Sequence, residues 1–354
     1  MSLLRVVLLF PFSLVYGLIM ALRNKLYDWE VFKSYQPEIP TLVVGNLSTG
    51  GTGKTPHLMF FLAHLSKQYK TAVLSRGYGR KTRGYLELNR DSTATEVGDE
   101  PKQIKMNFPD TPVAVCEDRV TGIQKLLQTY PNLELILLDD AMQHRKISAG
   151  FVVMLSLFDQ PFYKDWVLPS GNLREFAHIG KNRADVCIYT KAPDSIREET
   201  KKNFQLSFSQ SKPIYFSRFE YGSWVPFSEA NAPKEIRNIL LVTGIAYPTP
   251  LLHHLTSRFR RIEHIKFKDH YEFSEKDIER IHQKFTNFDR RNSVILCSEK
   301  DASKLRDFEL ITKNKKIPWL YIPVIIRIEG EEELLNQIHH YVRTHSRGSE
   351  LHKE

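Results

Sequence analysis

The chain has 354 residues, 42% of them hydrophobic and 26% charged, with a formal net charge of +9. That length suits about two domains with ample cores, and the composition excludes collagen-like, low-complexity or disordered chains. The positive balance favours anionic partners such as nucleotides, acidic lipid or nucleic acid. Cys116, Cys187 and Cys297 lie far apart in strand-like apolar runs with no C-x-x-C pair. They read as reduced core thiols in a cytoplasmic setting.

The first element is apolar. Residues 6–22 carry no charge, with Arg5 before them and Arg23 and Lys25 just after. About 17 helical residues reach only ~25 Å, short of a ~30 Å hydrocarbon core, and Pro11 is expected to kink or interrupt the helix. A cleaved signal peptide, a buried core helix and a membrane-inserted or interfacial helix compete here. No small-x-small cleavage site follows, so a membrane-associated helix over residues 1–27 is favoured. Arg23 and Lys25 suit a body on the cytoplasmic side. Deleting residues 2–22 is expected to free the chain from bilayers while the nucleotide site persists.

Next comes the most informative stretch, Ser48-Thr49-Gly50-Gly51-Thr52-Gly53-Lys54-Thr55, between the apolar run 41–44 and a helix-like segment, 57–65. A strand, a glycine-rich loop, Lys-Thr and a helix are what a phosphate cradle requires. Backbone N–H groups converge on phosphate oxygens, and the helix N-terminus adds partial positive charge. Lys54 reaches β- and γ-phosphates and Thr55 binds Mg²⁺ in such loops. Ser48 stands where the general pattern has Gly.

Beyond it, apolar runs at 71–75, 113–116, 135–138, 151–155 and 186–190 alternate with helix-like segments, one at about 118–128. This alternation predicts an α/β fold, a phosphate-loop type of mostly parallel sheet with flanking helices over residues 28–210. Residues 211–235, with Pro213, Pro226 and Pro233, read as a linker containing some extended chain. Residues 236–343 read as a smaller C-terminal α/β lobe, and 344–354 as a polar, frayed tail.

Several side chains at these junctions suit phosphoryl chemistry. Asp139 and Asp140 close the apolar strand 135–138, where phosphate-loop enzymes place a Mg²⁺-holding aspartate; Gln143, His144 and Arg145 follow on the same edge. Gly98-Asp99-Glu100-Pro101 is a second acidic pair. Pro101 biases Glu100 towards extended chain, so the pair is expected on a loop, either as a solvated turn or as base and metal ligand. Ser75-Arg76-Gly77-Tyr78-Gly79-Arg80-Lys81 suits an anionic group or a solvated basic turn. Arg174, in Leu168-Pro169-Ser170-Gly171-Asn172-Leu173-Arg174-Glu175, is placed to meet transition-state charge. His270, in Phe267-Lys268-Asp269-His270-Tyr271, is more often structural than catalytic as a lone histidine.

Taken in order, these motifs, with Gly45-Asn46 and Pro56 flanking the phosphate loop and Ser298-Glu299-Lys300-Asp301 near the end, closely resemble the tetraacyldisaccharide 4'-kinase family of lipid A biosynthesis. The resemblance covers most of the length, and Ser48 is normal in that family. The chain departs from the family pattern at Ala141-Met142, where Gly-Phe is common, and at Asn172 and Phe176, where proline is frequent. These changes bear on loop geometry and substrate detail more than on the acidic groups.

The resemblance implies ATP and Mg²⁺ as cofactors and transfer of the γ-phosphoryl group to the 4'-hydroxyl of an acylated glucosamine disaccharide 1-phosphate. It makes Ser48, Thr49, Gly50, Gly51, Thr52, Gly53, Lys54 and Thr55 the nucleotide cradle. Thr55, Asp139, Asp140 and Glu100 become the metal set, and Asp99, His270, Lys54 and Arg174 the catalytic set. Arg76, Arg80, Gln143, His144 and Glu175 are the expected substrate contacts. The Asp99–His270 pairing is expected to require the two lobes to close. The partners implied are the lipid and an anionic membrane surface, the cytoplasmic face of the bacterial inner membrane, with no nucleic acid and no obligate protein partner. A phosphate-loop switch or chaperone ATPase is the rival reading; a nucleic-acid binder lacks the aromatic-basic motifs of known modules.

Overall fold

A computed structural model describes residues 3–351, and the side chains of residues 8–346. Its first helix is α1 (Leu3–Asp28), in which Pro11 sits without interrupting the helix. The first lobe then alternates strand and helix: β1 (Thr41–Asn46), α2 (Lys54–Leu65), β2 (Thr71–Ser75), the two-residue β3 (Leu86–Glu87), a short α3 (Ala94–Val97) and α4 (Asp99–Asn107). It continues through β4 (Val113–Val115), α5 (Arg119–Thr129), β5 (Leu135–Asp139), β6 (Phe151–Leu157), a short α6 (Ala177–Gly180), β7 (Val186–Thr190), α7 (Glu198–Phe208) and β8 (Ile214–Tyr221).

A second lobe follows: β9 (Val225–Pro226), β10 (Asn238–Thr243), α8 (Thr249–Thr256), β11 (Arg261–Lys266), α9 (Glu275–Phe285), β12 (Ser293–Ser298), α10 (Glu299–Leu305), a short α11 (Glu309–Thr312) and β13 (Trp319–Ile322). The chain closes with β14 (Val324–Glu329) and α12 (Glu331–Leu351).

The first sheet has nine strands in the order β14-β8-β7-β6-β1-β5-β2-β4-β3, parallel except at its two edge strands. Its central strands are apolar on both faces because helices cover both. Leu42 and Val44 point to the side packed by Leu58, Leu62 and Leu65 of α2 and by Leu334, Ile338 and Val342 of α12. Val43, Ile136 and Leu138 point to the other side, towards Ile123 and Leu126 of α5 and Phe204 and Phe208 of α7. The second sheet, β11-β10-β12-β13-β9, repeats this arrangement with α9 and α10 on one face and α8 on the other. All three cysteines are free and buried.

The domain plan read from the sequence needs three corrections. Residues 214–221, expected in a linker, form β8, which pairs with β7 inside the first sheet. Residues 324–329, expected in the second lobe, pair antiparallel with β8, Arg327 opposite Arg218. The second lobe is therefore inserted between two adjacent strands of the first. Of the tail expected to fray, residues 344–351 continue α12, and residues 352–354 lie outside the described residues. Among the described residues no helix is long and apolar enough to cross a membrane.

Candidate active site

The C-terminal ends of the parallel strands in the first sheet meet at one edge, the usual ligand side of such sheets. There β1 runs into the glycine-rich loop and α2. Gly53 caps α2 with φ 89°, and a Cβ at that position would lie 2.5 Å from Phe219 Cζ, so both conformation and space require glycine. Asn46 Nδ2 donates to Thr52 Oγ1 at 2.9 Å, and Thr49 N–H donates to the Asn172 carbonyl at 2.7 Å. Fully buried His57 sits 2.8 Å from both the Gly53 carbonyl, through Nδ1, and Ser217 Oγ, through Nε2. The carbonyl can only accept, so Nδ1 carries the proton. Burial lowers the His57 pKa to about 4 and keeps the ring neutral. Lys191, just past β7 with φ 57°, donates to the Gly51 carbonyl at 2.9 Å.

Two adjacent carboxylates close β5, with Asp139 in register with Val44 of β1. Asp140 takes the left-handed conformation, φ 47°, which turns its side chain back towards the loop. Arg174 forks onto it, Nη1 to Oδ1 at 2.8 Å and Nη2 to Oδ2 at 3.0 Å, and Lys54 Nζ lies 3.6 Å from Oδ2. Burial would raise the Asp140 pKa, but Lys54 and Arg174 outweigh it and hold it below the ordinary value.

Asp139 is the opposite case. It is 2% exposed, Ser75 Oγ donates to Oδ2 at 2.9 Å, and Oδ1 has no partner among the described residues. Burial, then the Glu100 and Asp140 charges, push its pKa up to about 7. Beneath it the buried Arg119 donates to the carbonyls of Cys116 and Asp139, at 2.6 and 3.1 Å.

A third acid stands nearby. Gly98, with φ 92°, precedes α4, and Asp99 and Glu100 occupy its first turn. They were expected on a loop. Pro101 is tolerated because a first-turn residue needs no amide donor, so the acids are wound into the helix start. His270 Nδ1 lies 3.0 Å from Asp99 Oδ2, and Lys300 Nζ lies 3.1 Å from His270 Nε2. Lys300 also approaches Asp99 (3.7 Å), Asp269 (3.5 Å) and Glu100 (4.0 Å), and Lys304 lies 3.9 Å from Asp99. Burial opposes ionisation of Asp99, yet the His270 hydrogen bond and these cations bring its pKa down to about 2. The same hydrogen bond raises His270. Gln103 to Glu299 at 2.9 Å, Ser303 to the Asp99 carbonyl at 3.2 Å, and the Lys102–Asp307 ion pair fasten α4 to α10 and the turn after it. The lobes are thus already joined where the Asp99–His270 pair forms.

Phosphate loop, paired acids and a carboxylate–histidine pair share one edge, and comparison with known proteins names the arrangement. The tetraacyldisaccharide-1-P 4'-kinase profile, LpxK, matches residues 5–343. The chain belongs to this family. A tetraacyldisaccharide 4'-kinase of Bacteroides thetaiotaomicron is 39% identical, covering 96% of this chain and 94% of the relative. One of Cytophaga hutchinsonii is 40% identical over 94% of each. Among solved structures, LpxK from Aquifex aeolicus in complex with ATP superposes with a TM-score of 0.72 at 27% identity, covering 96% of this chain and 100% of that one.

Against the expected family site, the structure gathers Lys54, Thr55, Asp139, Asp140 and Arg174 on one edge, with Asp99, Glu100 and His270 beside them. Arg76 is exposed at the end of β2. Two expected substrate contacts are placed otherwise. Arg80 is tucked against Glu117 (2.7 Å) and the Gly84 carbonyl (2.5 Å), bracing its own loop. Glu175 is 1% exposed and bonds to Asn24, Gln143 and Arg183. Gln143 bridges Asn46, Glu175 and Arg174, and His144 is half-buried, its pKa lowered to about 4 mainly by burial. Lys300, Lys304, Arg119, Ser75 and Asn46 were not singled out as site residues. Asn46, Ser75 and Lys300 lie inside quoted family motifs; Arg119 and Lys304 gave no signal.

Proposed function

We infer that this protein transfers the γ-phosphoryl group of ATP to the 4'-hydroxyl of a tetraacylated glucosamine disaccharide 1-phosphate, a step of lipid A biosynthesis. Family membership over nearly the whole chain carries the reaction. The observation that supports the residue roles is the junction of Lys54, Asp140 and Arg174 beside the Asp99–His270 pair.

In this reading the amides of residues 48–55 and Lys54 hold the triphosphate. Asp99 Oδ2, held by His270, takes the proton of the 4'-hydroxyl as its oxygen bonds to the γ-phosphorus and the β–γ bridging oxygen leaves with ADP. Its lone pairs are basic enough only when the hydroxyl is already losing its proton to phosphorus, as a loose phosphoryl transition state allows. Lys300 donates to His270 Nε2, which keeps the Nδ1 proton aimed at Asp99. Arg174 swings between Asp140 and the equatorial oxygens of the transferring group. Arg76, exposed at the end of β2, meets the acceptor and its 1-phosphate.

The residues present fit Mg²⁺. Among the described residues no preformed cage of three acidic, histidine or cysteine side chains exists, and Mg²⁺ characteristically uses one or two carboxylates plus phosphate oxygens. Asp139, with its buried unpartnered Oδ1, and the Thr55 hydroxyl would hold it, with Glu100 alongside; Asp140 is already taken by Arg174 and Lys54. The ion would neutralise charge on the β- and γ-phosphates.

The outer face of α1 bares Leu8, Phe12, Val15, Leu18, Ile19 and Leu22, continuing into Trp29 and Trp166. In this reading it rests in the headgroup region of the inner membrane's cytoplasmic leaflet, helped by the net positive charge. The deciding assay is transfer of labelled γ-phosphate from Mg-ATP to detergent-solubilised tetraacyl disaccharide 1-phosphate. A labelled lipid that vanishes in Lys54→Ala is expected. ATP hydrolysis with no lipid labelling would point instead to a nucleotide switch.

A further inference from the structure

We propose that α1 is part of the transfer machinery, with Asn24 and Tyr16 as positioning residues for Arg174. This rests on the reading that Arg174 meets the transferring phosphoryl group. Asn24 is 2% exposed on a helix whose opposite face is bare and apolar. A buried amide is unfavourable unless bonded, and Asn24 Nδ2 donates to Glu175 Oε2 at 2.8 Å. Glu175 Oε1 accepts from Arg183 at 2.5 Å and from Gln143 Nε2 at 3.1 Å. Gln143 also donates to the Asn46 carbonyl at 2.9 Å, and its Oε1 accepts from Arg174 Nη1 at 3.1 Å. Arg174 then grips Asp140, which meets Lys54. Side-chain contacts therefore run unbroken from the first helix to the phosphate-loop lysine.

A second set of contacts holds the same segment by its backbone. The Tyr16 hydroxyl donates to the Arg174 carbonyl at 2.9 Å. Ser13 Oγ donates to Ser170 Oγ at 2.7 Å and accepts from Ser170 N–H at 2.8 Å. Gly17 packs so closely on Phe176 that a Cβ would lie 2.4 Å from the ring. Residues 13, 16, 17 and 24 share one helical face. Apolar packing alone would serve a detachable anchor. A buried polar network instead fixes one orientation, and here the group it orients is Arg174. On this proposal, removing residues 2–22 would delete three of these holds on the Arg174 segment, even where the nucleotide loop itself persists.

The test uses the full chain with Asn24→Ala, Tyr16→Phe, Arg174→Ala and the doubles that pair each α1 change with Arg174→Ala. Transfer to the detergent-solubilised lipid, affinity for a fluorescent ATP analogue and sedimentation with anionic vesicles are measured for each. Misplacing a reacting group is costly, so Asn24→Ala should lower kcat about tenfold. Tyr16→Phe, losing one hydrogen bond, should lower it about threefold. Nucleotide and vesicle binding should stay within about twofold of wild type. Each double should be no worse than Arg174→Ala alone, because the α1 residues act through it.

Multiplying effects in the doubles, or wild-type kcat in both α1 variants, would overturn the proposal. A fall in vesicle binding that tracks the loss of kcat would do the same. A fully active Arg174→Ala would remove the underlying role of Arg174 and the proposal with it. Should Asn24→Ala fail to fold, Tyr16→Phe, which keeps the ring, and its double decide the matter.

Discussion

Asp139 at the end of β5 and Asp99 at the start of α4 are both buried aspartates on one edge of one sheet, yet their environments drive them apart. Asp139 faces Glu100 and Asp140 and is pushed up to about 7; Asp99 faces His270, Lys300 and Lys304 and is brought down to about 2. Burial raises both, so the sign is decided by neighbours. At Asp139, Lys54 does not offset burial and two neighbouring acids; at Asp99, His270 and two lysines do. In the proposed reading, that contrast suits Asp139 to an incoming positive ion and Asp99 to a carboxylate kept ionised for a proton in flight.

The contrast can be broken at either end. The largest effect is expected for Asp99→Asn: kcat down by about 10² or more, the range of general-base catalysis, with ATP affinity retained. Near-normal turnover would remove Asp99 from the chemistry. Asp139→Asn comes next, expected to raise the Mg²⁺ concentration for half-maximal activity about tenfold while kcat at saturating metal falls less. An unchanged metal titration would refute the cation-site reading. Lys300→Met, which spares both acids, should lower kcat about tenfold, and Lys300→Arg should recover part of it; equal losses in both would mean that shape, not the donated hydrogen bond, matters at His270.

The smallest effects are on stability. The Asp99 pKa falls from 3.8 to about 2, so its contribution is present above about pH 4 and lost as pH drops through 2. The Asp139 pKa rises from 3.8 to about 7, so stability is lost as pH climbs through 7. In chelator, Asp139→Asn should therefore gain in Tm relative to wild type between pH 5 and pH 8, and the deficit of Asp99→Asn should shrink over the same window, because that change also removes the hydrogen bond that raises His270. A flat line for Asp139→Asn would mean that its carboxyl titrates normally.

What the sequence reveals of this site follows from chemistry that is local. The phosphate loop and Asp139-Asp140 stand out because each is a contiguous motif at a strand end; Asp99, which opens a helix, and His270, in the other lobe, stand out only through the family resemblance. Lys300 is not, because its meaning arises only when α10 packs on α4. Arg80 and Glu175 look like ligands in a string of letters, since a loop charge carries no mark of whether it faces solvent or a buried partner. The strand pattern within each lobe is legible from apolar runs. The insertion of one lobe into the other is not, because Arg218 and Arg327 become neighbours only through pairing across the whole second lobe.

That late pairing has a consequence for synthesis on the ribosome. The helix that carries the phosphate loop, α2, buries its apolar face partly against Ile326 and Ile328 of β14 and Leu334, Ile338 and Val342 of α12. Those residues leave the exit tunnel after everything else in the core. Until they do, a nascent chain with both lobes otherwise complete holds its nucleotide-binding helix half uncovered, at the stage when exposed apolar surface invites aggregation or chaperone capture.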